Sequence, residues 1–291
     1  MNYNFNSGYG QILMNQIAAS VGPVIGRIFF VIEDSDPSIV RDMMRDVVVP
    51  DPMGQIRFFE SVADVYSAVT TNANDVIVLN GQTSYTLTTG LAHTKNRVHW
   101  IGMDGGDRLV QQGTKIQVTG AVDTAYVFKD TGVRNSFINI KFIQSSTHAN
   151  ALTVFQGGGE GTLFKNCSFV FGTVDNLDQT TAHEFVAGTD SATFINCMFG
   201  ADTLLTSAAR SVFHVDQVNG FEFKSNILEN CTFLISSSSS TATFVRLDAV
   251  GDILFTNIFR RCTFVASVDS AGGAAIAEAV QTGTSTVKGC I

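Results

Sequence analysis

The sequence predicts a mainly β protein: a right-handed parallel β-helix, or solenoid, behind a small α/β N-terminal cap. Three observations carry this. A short phrase recurs six times in the second half of the chain. Its third position is held mostly by Asn or Gly. A second apolar segment precedes most copies. The copies are Phe137-Ile-Asn-Ile-Lys-Phe142, Phe164-Lys-Asn-Cys-Ser-Phe169, Phe194-Ile-Asn-Cys-Met-Phe199, Leu228-Glu-Asn-Cys-Thr-Phe233, Phe259-Arg-Arg-Cys-Thr-Phe264 and Val287-Lys-Gly-Cys-Ile291. They begin at 137, 164, 194, 228, 259 and 287, so the steps are 27, 30, 34, 31 and 28 residues. A fixed period in this range marks a solenoid, in which each repeat buries its apolar face only against its neighbours. An earlier copy, Trp100-Ile-Gly-Met103, lies 37 residues before the first.

Within the phrase, the first position is large and apolar and points inward. The second is mostly polar (Lys165, Glu229, Arg260, Lys288) and points out. The third is Asn139, Asn166, Asn196, Asn230, Arg261 or Gly289, with Gly102 in the early copy. Asn and Gly tolerate a left-handed backbone, and one such residue between two short strands turns the chain through roughly a right angle. Gly102, Asn139, Asn166, Asn196, Asn230 and Gly289 are therefore the expected corners, and Arg261 is expected to be strained or differently turned. The fourth and sixth positions alternate inward around a polar fifth, the period of a strand. The preceding apolar segments, such as Ala151–Phe155, His183–Val186, Val212–Val215, Thr243–Leu247 and Ala274–Ala277, supply a third wall. Coils then rise about 4.8 Å and stack like on like.

Toward the N-terminus the pattern changes. Residues 1–25 are rich in Asn, Gly and Ser and carry no charge, with an apolar run from Ile12 to Val24 broken at Gly22-Pro23. Such a segment orders poorly alone and can order against a partner, so it reads as a docking arm. Ile28–Ile32 reads as a buried strand, Ser35-Asp-Pro37 as a helix start leading into 38–48, and Ile56–Phe59 as another strand. Ser61–Thr70 reads as a short amphipathic helix with Val62, Val65, Tyr66 and Val69 on one face. Asp75–Leu79 opens the solenoid and Asn80-Gly81 turns it. The expected units are an arm over 1–25, a cap over 26–74 and a β-helix over 75–291. A cap is physically sensible, because an open solenoid end exposes a sheet edge and a disc of core. By the same reasoning the last copy, which stops one residue short of its Phe, leads us to expect a chain that continues, or is covered, beyond Ile291.

Composition narrows the function. The net charge of −8 argues against nucleic acid, which draws clustered Lys and Arg. No apolar run reaches the ~18 residues of a membrane span, and the first basic residue is Arg27, so no basic signal-peptide region precedes it. Cys167, Cys197, Cys231, Cys262 and Cys290 all fall on one position of the repeat. With no C-x-x-C pair they read as a ladder of buried, reduced thiols acting as small hydrophobes, with no metal and no cofactor expected.

An enzyme of this shape would need carboxylates on one wall; glycoside hydrolysis uses two, roughly 5–10 Å apart. The outward positions of the repeat hold Lys141, Lys165, Ser168, Met198, Glu229, Thr232, Arg260 and Thr263. Only Glu229 is acidic, and with Arg260 one coil away it reads as a cross-strand ion pair. The third wall is the better candidate: His183 and Glu184 lie one coil from His214 and Asp216, with Asp248 a further coil on. Glu184, Asp216 and His214 could serve as acid and base; as edge or loop residues of successive coils they need no such role. Asp104-Gly-Gly-Asp107 lacks the spaced ligands of a calcium loop and reads as a turn, and Ser236–Ser240 as a loop.

The stretch Gly26-Arg-Ile-Phe-Phe-Val, Ser35-Asp, Gly54-Gln-Ile-Arg-Phe-Phe, Asp75-Val-Ile-Val-Leu-Asn-Gly81 and Trp100-Ile-Gly-Met resembles a group of tailed-phage virion proteins. These join a short N-terminal region to a pectate-lyase-like β-helix. The resemblance spans roughly 26–291. It implies a structural part of a bacteriophage virion, assembled in the host cytoplasm: a capsid decoration or a head or tail fibre. It also implies a homotrimer, attached through residues 1–25 to the major capsid protein or another virion protein, and supplies no catalytic motif. The expectation is a non-enzyme. The alternatives are a tailspike-like polysaccharide-degrading enzyme, which would stack acidic residues on one wall, and a non-catalytic adhesin for host surface glycan, which would expose aromatic platforms.

Overall fold

The computed structural model describes residues 26–33, 57–81, 83–103, 112–172, 183–200, 211–216, 223–237, 243–247 and 257–268. The arm over 1–25, the helix expected over 38–48, the Asp104–Asp107 turn, Asp248, Ala274–Ala277 and the last copy with Gly289 and Cys290 lie outside the described residues.

Strands β1 (Ile28–Val31) and β2 (Phe58–Phe59) come first, followed by helix α1 (Val62–Ala68). From there the chain repeats one order of three walls. The sets are β3 (Asp75–Leu79), β4 (Ser84–Leu87) and β5 (Leu91–His93); β6 (Val98–Gly102), β7 (Lys115–Gly120) and β8 (Tyr126–Asp130); and β9 (Ser136–Ile138), β10 (Lys141–Ser146) and β11 (Thr153–Gly157). They continue with β12 (Leu163–Lys165), β13 (Ser168–Phe171) and β14 (His183–Ala187); β15 (Thr193–Ile195), β16 (Met198–Phe199) and β17 (Ser211–Val215); and β18 (Ile227–Glu229), β19 (Thr232–Ser237) and β20 (Thr243–Leu247). β21 (Ile258–Arg260) and β22 (Thr263–Val268) begin the next coil. Among the described residues each wall is one parallel sheet whose neighbours are successive coils, of nine, seven and six strands. The fold is a parallel β-helix.

Register follows the repeat. Trp100 pairs with Phe137, then Phe164, Phe194, Leu228 and Phe259 follow in line in the first sheet. The sixth position makes the second stack: Phe142, Phe169, Phe199, Phe233 and Phe264. The third wall makes another from Phe128, Phe155, Phe185 and Phe213. Rings within a stack are nearly parallel: Phe142 and Phe169 lie 5.5 Å apart at 3°, and Phe185 and Phe213 lie 5.3 Å apart at 5°. Between stacks they meet edge to face, as Phe169 does with Phe185 at 4.9 Å and 82°. The quadrupole of an aromatic ring favours such contacts by about 0.5–1.5 kcal/mol beyond the area buried, so one residue type serves both directions of the core.

The corners are left-handed where Asn stands. Asn139, Asn166, Asn196 and Asn230 have φ of 58, 52, 52 and 54°. One of the corner expectations needs correction. Arg261 takes the turn of the asparagines, at φ 55°, and bears the strain expected of a residue with a Cβ in the left-handed region. Gly102 does not take that turn: it closes β6 outside the left-handed region, and a Cβ there would lie 2.2 Å from the Asn139 carbonyl oxygen. Close approach of the next coil, not a positive φ, explains that glycine. The side chains extend the order, for Asn166 Nδ2 donates to Asn139 Oδ1 at 3.0 Å.

A second set of left-handed residues, Arg97, Arg134, Gly161, Ser191 and Ser225, turns the chain from the third wall back into the first. Apart from Gly161, nothing in residue type announced it. The expected boundary at 74/75 also falls inside a continuous sheet, since β1 pairs in parallel with β3, Ile28 against Val76 through Val31 against Leu79. The described part of the cap is thus an extension of the first wall, on which α1 packs. Ser61 caps α1 through a bond from Asp64 N, and Val62, Val65 and Val69 are buried as the amphipathic spacing requires.

Candidate functional site

Two groups of chemistry-bearing side chains stand out among the described residues. The first is the third-wall set read from the sequence. His183 and Glu184 lie in β14 and His214 in β17, all three buried, Glu184 fully. They are strand residues of the wall, which corrects the expectation of edge or loop positions. The imidazoles of His183 and His214 sit with ring centroids 4.2 Å apart, and Ser211 Oγ lies 2.7 Å from His183 Nδ1. Asp216 follows β17 and is exposed. Glu184 is level with Val212, because its neighbours His183 and Phe185 pair with Ser211 and Phe213. Asp216 is therefore four residues further along, roughly 13 Å at the rise of a strand. One carboxyl is dry and the other wet. Glu184 and Asp216 thus stand at different places along the wall, one buried and one exposed.

The outward row of the repeat also differs from expectation at two places. Ser168 and Met198 are buried on the outer side of the second wall. Glu229 and Arg260 form the expected cross-strand pair at 2.6 Å. It lies at the surface, where such a pair contributes about 1 kcal/mol or less.

The second group was not read from the sequence. His93 and Asp130 face each other across β5 and β8 with Nδ1 to Oδ1 at 2.9 Å, neither reaching solvent. Asp130 also accepts from Asn135 Nδ2 at 2.8 Å, from the Gly132 amide at 3.1 Å and from Thr162 Oγ1 at 3.3 Å. Four donors offset the cost of burying a carboxylate. The His93 ring lies 5.8 Å from Phe128 and 5.0 Å from Tyr66 of α1, so it begins an aromatic stack under the helix. Geometry of this kind orients an imidazole, but no substrate reaches it.

Asn135 belongs to a ladder of its own. It stands two residues before Phe137, and the same place three and four coils on holds Asn226 and Asn257 before Leu228 and Phe259, with Thr162 and Ala192 in the coils between. Asn135 Oδ1 accepts from Val98 N at 2.9 Å, and Asn226 Oδ1 from Ala192 N at 2.7 Å. Asn257 Oδ1 accepts from both Asn226 N and Nδ2 at 3.0 Å. Extending the repeat two residues upstream would have exposed this signal.

A cationic clamp ties α1 to the coils. Lys95 Nζ donates to the helix-terminal carbonyls of Tyr66 at 2.5 Å and Val69 at 2.6 Å, and lies 4.7 Å over the Tyr66 ring. Burial lowers the Lys95 pKa. Arg27 bonds Asp75 through Nη2 at 2.8 Å and reaches the Ala68 carbonyl, with the Asp75 carboxylate fully buried. Cations at a helix C-terminus complement its dipole.

The thiols sit one per coil. Cys167, Cys197 and Cys231 are buried and Cys262 is half-buried, and none of the four is in a disulfide. Cys167 Sγ donates to the carbonyl of Phe137 at 3.2 Å, one coil away. Burial pushes the Cys197 thiol up, and its neighbours Cys167 and Cys231 push it further. Among the described residues no three His, Cys, Asp or Glu side chains converge as a metal site, and no helix is long and apolar enough to cross a membrane.

No family model and no curated protein matches the chain. Among solved structures, the deglycosylated pectin methylesterase from Aspergillus niger is similar at 12% identity and a TM-score of 0.44, over 91% of this chain and 92% of that one. A likeness at that level transfers no residue role to this chain.

Proposed function

We propose that the chain is a non-catalytic structural component of a tailed-phage particle, decorating or projecting from the capsid and attached through residues 1–25. The observation that carries this reading is the ladder construction. Ring stacks, corner asparagines and thiols run through successive coils, and each coil hydrogen-bonds the next along three walls. Such a rod is stiff along its axis, which suits a projecting or clasping part. The N-terminal residues that resemble virion proteins point the same way. Full burial of Glu184 weighs against the polysaccharide-degrading alternative.

The test is made on gradient-purified particles of the virus that encodes the chain. The chain should co-purify at fixed stoichiometry, and a version lacking residues 1–25 should fold and stay in the soluble fraction. Finding it only free of particles, or finding that the purified protein releases reducing ends from host glycans, overturns the proposal.

A further inference from the structure

On the outer face of the first wall, β12, β15 and β18 present two rows. One is Leu163, Thr193 and Ile227; the other is Lys165, Ile195 and Glu229. All six flank inward residues and are half-buried. The corner bordering this face carries a third row, Glu160, Asp190 and Lys224, joined by isolated parallel bridges. β15 supplies the middle member of the first two rows, and Asp190, three residues before β15, that of the third. The outer members are opposite charges in two rows and two aliphatics in the other.

We infer that this face is an isologous interface between two copies of the chain, with its two-fold axis lying along β15. Such an axis exchanges the strands on either side of β15 and keeps positions along the strand. It sets Lys165 of one copy opposite Glu229 of the other, Leu163 opposite Ile227, and Glu160 opposite Lys224. Ile195 and Thr193 meet their own counterparts on the axis. A self-complementary patch is what a two-fold interface requires, and one operator satisfies all three rows at once. Asp190 would meet its counterpart near the axis, where Lys224 of its own chain, 3.2 Å away, screens it. The Glu229 partner within the chain, Arg260, is largely exposed and leaves the second carboxylate oxygen to Lys165. The solenoid axes of the two copies then run antiparallel, unlike the three-fold bundle that the virion resemblance implies. The charge rows favour the pair, because three-fold packing about the solenoid axis would not bring Lys165 to the height of Glu229.

Three strands cover less than the about 800 Å² per partner of a standard interface, so association belongs at protein concentrations on the order of 100 µM. Sedimentation velocity at that concentration should show the wild-type dimer. Lys165→Glu alone and Glu229→Lys alone should each weaken it at least about tenfold, by placing like charges opposite one another. Mixing the two variants should restore a dimer, since a heterodimer regains both ion pairs. Glu160→Lys mixed with Lys224→Glu repeats the test at corner positions outside the named strands. A wild-type monomer, a trimer, single variants that dimerise like the wild type, or mixtures that stay monomeric in both sets would each overturn the inference. Particle attachment through residues 1–25 is read by a separate experiment and can fail independently.

Discussion

The side-chain amide of Asn196 donates to Oδ1 of Asn166 at 3.2 Å, one coil away, while both residues hold left-handed backbones. Each asparagine therefore does two things at a corner. It tolerates the turn, and it passes a hydrogen bond to the next coil.

Replacing Asn166 separates the two roles. Asn166→Ala should cost about 2–3 kcal/mol, combining the left-handed penalty with loss of amide bonds worth about 1 kcal/mol each. Asn166→Gly keeps the turn and should cost about half as much. Urea unfolding of the two variants reads the difference, and equal losses would show that the backbone conformation contributes nothing.

Asp130 should be essential for folding and not for any surface activity. Asp130→Ala leaves the donors of His93, Asn135 and Gly132 buried around a missing acceptor. Breaking such a buried pair costs about 3–5 kcal/mol. Asp130→Asn keeps an acceptor oxygen and should cost clearly less by thermal or urea denaturation.

His99 should make the fold acid-sensitive. Burial lowers its pKa below the ordinary 6.5, so between the two values the unfolded chain binds more protons than the folded one. Stability then falls as pH drops below 6.5. His99→Gln should lose less stability than wild type between about pH 7.5 and about pH 5.5. Parallel losses in the two proteins would remove His99 from the account.

The thiols should label in order of exposure. A maleimide or disulfide reagent should reach half-buried Cys262 first and Cys167, Cys197 and Cys231 only on unfolding. For Cys197 the raised pKa adds to burial, since the thiolate is the reacting form. Mass spectrometry of partly labelled native protein gives the order. Early labelling of Cys197 would contradict the buried ladder.

Much of this was legible because it is local. The period between Phe137, Phe164 and Phe194 is a matter of counting, and in a solenoid counting sets which residues stack. The left-handed corners were legible at Asn166 because Asn advertises its backbone tolerance. They were not legible at Arg134 or Ser191, which take the same conformation without a compositional mark. The His93–Asp130 pair was hidden for another reason: its members lie 37 residues apart and belong to no repeated phrase.

The sequence by itself determined the wall order, the register and the identity of the core ladders. Alternation along a strand and tolerance of a turn belong to each residue and survive any packing. Tertiary structure alone decided that Glu184, Ser168 and Met198 are buried and Asp216 is not, that Gly102 answers a close approach from Asn139, and that the cap strands continue the first wall. Each of those depends on what comes to lie against a residue from elsewhere in the chain, and solvent exclusion is a property of the assembled surface.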